Sequence, residues 1–246
     1  MKKLVGFITS SLPDNEFSID LAYAMKDAGV DTIELGIPFS DPVADGPVIE
    51  KASLQVLNNG FKMDDLFYVS EKIGKDIDTL WMGYMNPFYA KGMEFFLQKA
   101  KETGISGMII PDLPYEETLT YTPLFDKYDK SLISFVAPTD PKERIELITK
   151  DAKKFIYLVA YAGITGSGQS EDLTQIIADI KASTDTPVYT GFGVNEKTAK
   201  EKAKGVDGVI VGSAFVNILL DNSLSNNEKI KRVSSIASNI KDLINQ

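Results

Sequence analysis

Along the chain, short apolar runs rich in β-branched and aromatic residues alternate with longer stretches whose apolar positions recur every three or four residues. The runs fall at 4–9 (LVGFIT), 31–37 (DTIELGI), 78–84 (DTLWMGY), 107–112 (GMIIPD), 131–137 (SLISFVA), 155–160 (FIYLVA), 187–192 (PVYTGF) and 208–213 (GVIVGS). Near-continuous hydrophobicity of this kind predicts strands covered on both faces, as in a parallel sheet. Between them, residues 16–28 place Phe17, Leu21, Ala24, Met25 and Ala28 on one helical stripe, and 63–75, 92–103, 142–150, 170–183, 195–204 and 226–243 read in the same way. Two further helical segments, 48–58 and 214–220, stand outside the one-to-one alternation. Eight strand-helix units in about 250 residues predict an α/β fold, a (β/α)8 TIM barrel with extra short helices after strands two and eight and its active site at the C-terminal strand ends. A doubly wound open sheet shares this periodicity and is the alternative the pattern leaves open.

Composition narrows the picture. No stretch longer than about five or six residues reads as linker, so residues 1–246 are read as one domain. The net charge of −9 and pI near 4.7 argue against nucleic acid and anionic membrane as partners, while leaving room for a small anionic substrate at a local site. The chain has no cysteine and no histidine, which removes thiolate nucleophiles, the commonest metal ligands and the commonest general base. Proton transfer therefore falls to Asp, Glu, Lys or Tyr, and no metal is expected. The apolar start of the chain is too short for a signal peptide and no run approaches a membrane span, so a cytoplasmic protein is expected.

Against that background Glu34 is out of place, a carboxylate inside the run Thr-Ile-Glu-Leu-Gly-Ile where a doubly covered strand calls for an apolar side chain. Asp45 follows eleven positions later, in a loop dense in proline and acid. In a barrel the two carboxylates can face one pocket and divide proton-transfer work, the drier one carrying the higher pKa. The plainer reading pairs Glu34 with a buried polar neighbour and makes Asp45 the cap of the helix that starts near Pro47.

Three glycine-bearing turns form a second constellation: Gly163 to Gly168 after the sixth run, Gly191-Phe192-Gly193 after the seventh and Gly212-Ser213 after the eighth. Each is an ordinary turn by itself. Together, at neighbouring strand ends and ahead of a short extra helix, they fit the recurrent barrel phosphate site. Phe7, Tyr84, Asn86, Tyr157 and Phe192 sit at other strand ends and either line an aromatic pocket or belong to the core, and Trp81 fits the core alone. The Lys-rich stretches 142–154 and 197–204 read as solvated helix faces.

The string Glu34-Leu-Gly-Ile-Pro-Phe-Ser-Asp-Pro-Val-Ala-Asp-Gly-Pro47 closely resembles the signature of the tryptophan synthase α chain family, and Tyr84-Met-Asn86-Pro, Pro111-Asp112-Leu-Pro114, Gly163-Ile-Thr-Gly166, Gly191-Phe-Gly193 and Gly212-Ser213 match in the same order over the whole length. The resemblance implies a lyase that cleaves indole-3-glycerol phosphate to indole and glyceraldehyde 3-phosphate by a retro-aldol step. It also implies a pyridoxal-phosphate-bearing β chain as partner in an α2β2 tetramer, with no cofactor on this chain. Residue by residue it makes Glu34 the general acid/base and Asp45 the acceptor of the indole N–H. Gly166, Gly193, Gly212 and Ser213 would hold the phosphate. Phe7, Met82, Tyr84, Ile109, Tyr157, Thr165, Phe192 and Ile210 would line the indole and glycerol pocket, with Thr165 helping to close it. Asp41, Asn86 and Pro114 match positions used near the β chain.

Three departures stand out. The first run begins at Leu4 without a helix ahead of it, so the N-terminal end of the barrel is expected to be less well covered. Ser11-Leu12-Pro13 replaces the usual Gly-Asp-Pro, and Tyr161 stands where the family often has Arg. Other phosphosugar barrels rely on a strand Lys or paired Asp residues, and no Lys lies inside the first three runs. A partner-activating subunit with little chemistry of its own is the alternative of a different class.

Overall fold

The computed structural model describes residues 1–159 and 173–246. In chain order the elements are β1 (Lys3–Thr9), α1 (Asn15–Asp27), β2 (Thr32–Gly36), α2 (Pro47–Asn58), α3 (Met63–Ile73), β3 (Thr79–Met82), α4 (Met85–Lys91), α5 (Met93–Thr103), β4 (Gly107–Ile109) and α6 (Tyr115–Lys127). They continue with β5 (Ser131–Leu132), β6 (Ser134–Val136), α7 (Lys142–Thr149), β7 (Ile156–Leu158), α8 (Thr174–Ser183), β8 (Val188–Thr190), α9 (Ala199–Lys202), β9 (Gly208–Val211), α10 (Ser213–Leu219) and α11 (Asn226–Ile244).

All strand pairings among the described residues are parallel, in the order β5-β4-β3-β2-β1-β9-β8-β7-β6. Strands β5 and β6 are two halves of one stave, interrupted at Ile133, whose N–H donates to Met108 O at 3.0 Å. The first half pairs with β4 and the second with β7, so the ring closes through eight staves and the barrel, not the open sheet, is what forms. Seven of the eight predicted runs contain their stave, and β1 begins one residue ahead of its run, at Lys3. The extra helices are α2 and α10, as the pattern predicts.

Two helices were not predicted. In α4 the run from Met85 to Lys91 is too short to display a period, and its start is fixed by Asp112, whose carboxylate accepts the Met85 N–H at 2.8 Å. The sequence of α6, YEETLTYTPLFDK, carries three threonines and an internal Pro123 and buries only Phe125. Its apolar stripe is too weak to read. A cavity of about 370 Å³ lies between α6 and the outside of the barrel, lined by Leu113, Phe125, Leu132 and Ile148 among others.

Alternation along the staves divides the apolar residues into two cores. Val5, Leu80, Ile109, Ile133, Phe155, Tyr189 and Ile210 point inward and pack together, while Leu4, Ile8, Ile33, Leu35, Trp81 and Val209 pack outward against the helices. Trp81 belongs to the outer core, its Nε1 donating to Ser70 Oγ at 2.8 Å. Inside the barrel, three aromatic side chains lie where a neighbouring stave has no side chain. A Cβ at Gly36 would stand 2.5 Å from the Phe7 ring, one at Gly191 2.3 Å from Tyr157 Oη, and one at Gly208 2.7 Å from the Tyr189 ring.

The N-terminal end is better covered than the sequence suggested. Phe155 and Tyr189 stack at 4.5 Å and plug it. Around them Asp31, Asp78 and Asp207, each just ahead of a strand, are paired with lysines. Asp31 meets Lys3 at 3.0 Å, meets Lys241, and accepts Leu4 N–H at 2.8 Å. Asp78 meets Lys154 at 2.7 Å and accepts the Thr32 hydroxyl at 2.7 Å. Asp207 meets Lys181 at 3.0 Å and accepts Val188 N–H at 2.9 Å. Each aspartate thus ties neighbouring strand starts together.

Candidate active site

Register fixes where Glu34 points. It pairs with Phe7 on one side and Leu80 on the other, both inward positions, so its carboxyl lies inside the barrel. The residue is 3% exposed, and its Oε1 has no hydrogen-bond partner. The plainer reading, a hydrogen-bonded pairing with a buried polar neighbour, is not met at that atom. Burial first, and the charge of Asp45 second, push the Glu34 carboxyl up to about 8, so at neutral pH it holds its proton.

Asp45 stands in the loop that carries the chain from β2 to α2. It is not the helix cap: α2 is capped by Gly46, with Pro47 in its first turn and no side-chain bond. The Asp45 carboxylate instead accepts the Tyr84 hydroxyl at 2.9 Å, and Tyr84 Oη in turn accepts the Ala44 N–H at 3.1 Å. Phe39 stacks on the Tyr84 ring at 5.4 Å. One buried tyrosine at the end of β3 therefore pins the loop at two points. Burial raises Asp45 to about 6, moderated by the Tyr84 bond, so it is largely ionised at neutral pH. The two acids are thus poised in opposite states, Glu34 able to give a proton and Asp45 able to hold a cation.

Tyr157, partly buried on β7, stands near enough to both carboxylates that burial, Glu34 and Asp45 all push its phenol well up. It stacks on Phe135 at 5.1 Å. Phe7, Ile109 and Ile210 are buried on β1, β4 and β9, and Met82 is partly buried at the end of β3. Phe192 differs from these, since it is 38% exposed and its φ is +70°, followed by Gly193 at +69°. Two left-handed residues in succession, one of them aromatic, make a strained turn at the C-terminal end of β8, the kind of backbone that concentrates at functional sites. Gly212 caps α10 and Ser213 opens it, exposed at the same end of the barrel. The first N–H groups of α10 have no intrahelical acceptor and face that end. Thr165 and Gly166, with Tyr161, lie outside the described residues.

Asp41, Asn86 and Pro114 are exposed on the segments that follow β2, β3 and β4. Val43 and Tyr89, 82% and 76% exposed, lie on two of the same segments, so this flank of the mouth combines apolar and polar groups. Sequence reasoning missed that Tyr84 anchors Asp45. The hydroxyl of a tyrosine within an otherwise apolar strand end was the available signal. It also missed Asp112 as the cap of α4 and Phe39 as the partner of Tyr84.

Comparison with known proteins comes to the same place. The family model for the tryptophan synthase alpha chain matches residues 1–245. The tryptophan synthase alpha chain of Wolinella succinogenes is 55% identical over 246 residues, covering 100% of this chain and 96% of the relative. That of Thermoanaerobacter sp. strain X514 is 40% identical over 248 residues, covering 99% and 94%. Among solved structures, tryptophan synthase subunit alpha from Campylobacter jejuni superposes with a TM-score of 0.86 at 32% identity, covering 96% of this chain and 95% of that one.

Proposed function

Given that the chain belongs to the tryptophan synthase alpha chain family, we propose that this single-domain barrel cleaves indole-3-glycerol phosphate by a retro-aldol reaction and that Glu34 and Asp45 carry the chemistry. The observation that supports this most directly is the unpaired Glu34 carboxyl, buried and protonated beside an ionised Asp45.

Glu34 gives its proton to indole C3. Positive charge then develops on the ring nitrogen, and the Asp45 carboxylate, held by Tyr84, stabilises it through the N–H. Glu34, now a carboxylate, takes the proton from the hydroxyl on the carbon attached to C3. The carbon-carbon bond breaks, its electron pair returns to the ring, and the hydroxyl carbon leaves as an aldehyde. Indole and glyceraldehyde 3-phosphate result, and Glu34 is protonated again. A carboxyl near 8 serves both halves, because it gives a proton readily and takes one back at neutral pH.

In this reading Gly193, Gly212 and Ser213, with Gly166, hold the phosphate against the start of α10. Phe7, Met82, Tyr84, Ile109, Tyr157, Phe192 and Ile210 shape the remaining pocket, and Thr165 helps close it. The partner is a β chain carrying pyridoxal phosphate, docked on the flank marked by Asp41, Asn86 and Pro114, in a cytoplasmic α2β2 tetramer. Exposed Val43 and Tyr89 on that flank support a protein contact there.

The test is to incubate the purified chain with indole-3-glycerol phosphate, alone and with a β chain, and to measure indole. Release of indole, faster with the β chain, is expected. No indole under either condition refutes the lyase reading and favours an activating subunit.

A further inference from the structure

Two buried side-chain polar atoms among the described residues have no hydrogen-bond partner, Glu34 Oε1 and Thr9 Oγ1. They belong to neighbouring staves. Thr9 is the last residue of β1 and pairs with Gly36, two positions beyond Glu34 on β2, while Phe7 pairs with Glu34 itself. Alternation places positions 7, 9, 34 and 36 on the inner face together. Thr9 and Glu34 are therefore diagonal neighbours, a spacing that a long side chain spans. The ring of Phe7 covers Gly36, packed beside the same two residues.

An unsatisfied hydroxyl at 1% exposure is costly, and valine would fill the same volume without that cost. The proposed reaction supplies an occasion on which the hydroxyl is needed. While Glu34 holds its proton it tolerates a dry site. Once it has passed the proton to substrate it becomes a buried carboxylate facing Asp45, from the loop after β2, and Tyr157, from β7, with Tyr84 behind Asp45. Asp45 repels that new charge.

We propose that Thr9 is a positioning residue for Glu34, its hydroxyl donating a hydrogen bond to the Glu34 carboxylate that forms when the proton leaves and holding that carboxylate toward the mouth of the barrel. Thr9 keeps its own proton throughout, and only Glu34 and substrate exchange one. This rests on the lyase reading above.

The test compares the full chain with Thr9→Val and Thr9→Ser, measuring kcat and KM for indole-3-glycerol phosphate across pH, together with Tm. Thr9→Val should lower kcat about tenfold to hundredfold, the weight of a hydrogen bond to a charged group, with little change in KM. Because that bond favours the ionised form, its loss raises the Glu34 pKa in the complex, and the alkaline limb of kcat moves up by about one pH unit. Tm should rise or stay unchanged, since an unsatisfied hydroxyl has been removed. Thr9→Ser should keep most of the activity and the original limb. If Thr9→Val fails to fold, Thr9→Ala against Thr9→Ser carries the same contrast. Wild-type kcat and limb in the variants lacking the hydroxyl overturn the proposal, as does equal loss in Thr9→Ser. A wild-type chain that releases no indole instead overturns the lyase reading and this proposal with it.

Discussion

The two ends of the barrel use carboxylates in opposite ways. At the N-terminal end Asp31 and Asp78 are surrounded by lysines, hydroxyls and strand N–H groups. Burial alone would raise Asp31, but Lys241, the Leu4 N–H and Lys3 outweigh it and hold its carboxyl below the ordinary range. At Asp78 burial is likewise outweighed, here by Lys154 and Thr32. At the C-terminal end no cation is hydrogen-bonded to Glu34 or Asp45 among the described residues, and burial raises both. The first arrangement lowers the free energy of the fold. The second raises it and leaves groups that can exchange protons near neutral pH, which is what a proton-transfer site requires.

The sharpest way to break this contrast is Glu34→Gln. Cleavage should fall by more than about a thousandfold, because shape survives and the transferable proton does not. Stability should move the other way. Folded Glu34 keeps its proton up to about 8 whereas the unfolded chain releases it near 4.5, so the fold binds the extra proton and loses stability as pH rises through that window. Glutamine removes the loss, and Tm near pH 8 should rise by about 5 °C. A Glu34→Gln chain that is active, or less stable, would put Glu34 with the structural aspartates.

Asp45→Asn comes next, at about a hundredfold in turnover. The wild-type profile of kcat/KM should be a bell with limbs near 6 and near 8, and the variant should lose the acid limb. At the opposite end, Asp31→Ala should leave kcat within about twofold and lower Tm by about 5 °C through the lost ties to Lys3, Lys241 and Leu4. Since Asp31 is held below its ordinary value, its contribution is present at neutral pH and vanishes as pH falls through the acid range, so the Tm difference from wild type should close there. The smallest effect is expected for Tyr84→Phe. Losing the bond that favours ionised Asp45 should move the acid limb above 6 while the rate near pH 8 changes little.

The contrast between the ends was only half readable in the sequence. Glu34 betrayed itself because an acid in a buried strand violates the pattern, and the eight staves were readable because parallel strands covered on both faces are apolar throughout. Asp31, Asp78 and Asp207 could not be told apart from Asp45 by residue type, since their lysine partners are as distant in sequence as Lys154 from Asp78 and Lys241 from Asp31. Asp45 was read in two ways, and it took the Tyr84 bond to exclude the cap. The helix α6 was unreadable for a different reason, that it buries a single side chain and so leaves almost no apolar period.

The interlocking of Phe7 with Gly36, Tyr157 with Gly191 and Tyr189 with Gly208 has a consequence for how such a barrel varies. Neither member of a pair is free to change alone: a methyl group on the glycine strikes the ring, and a smaller ring leaves a void over bare backbone. Exchanges that are harmful singly become tolerable only together, so each pair marks a ridge of epistasis. Two of the three rings stand at the proposed substrate pocket, so reshaping that pocket for a bulkier aromatic requires moving at least two staves in one step.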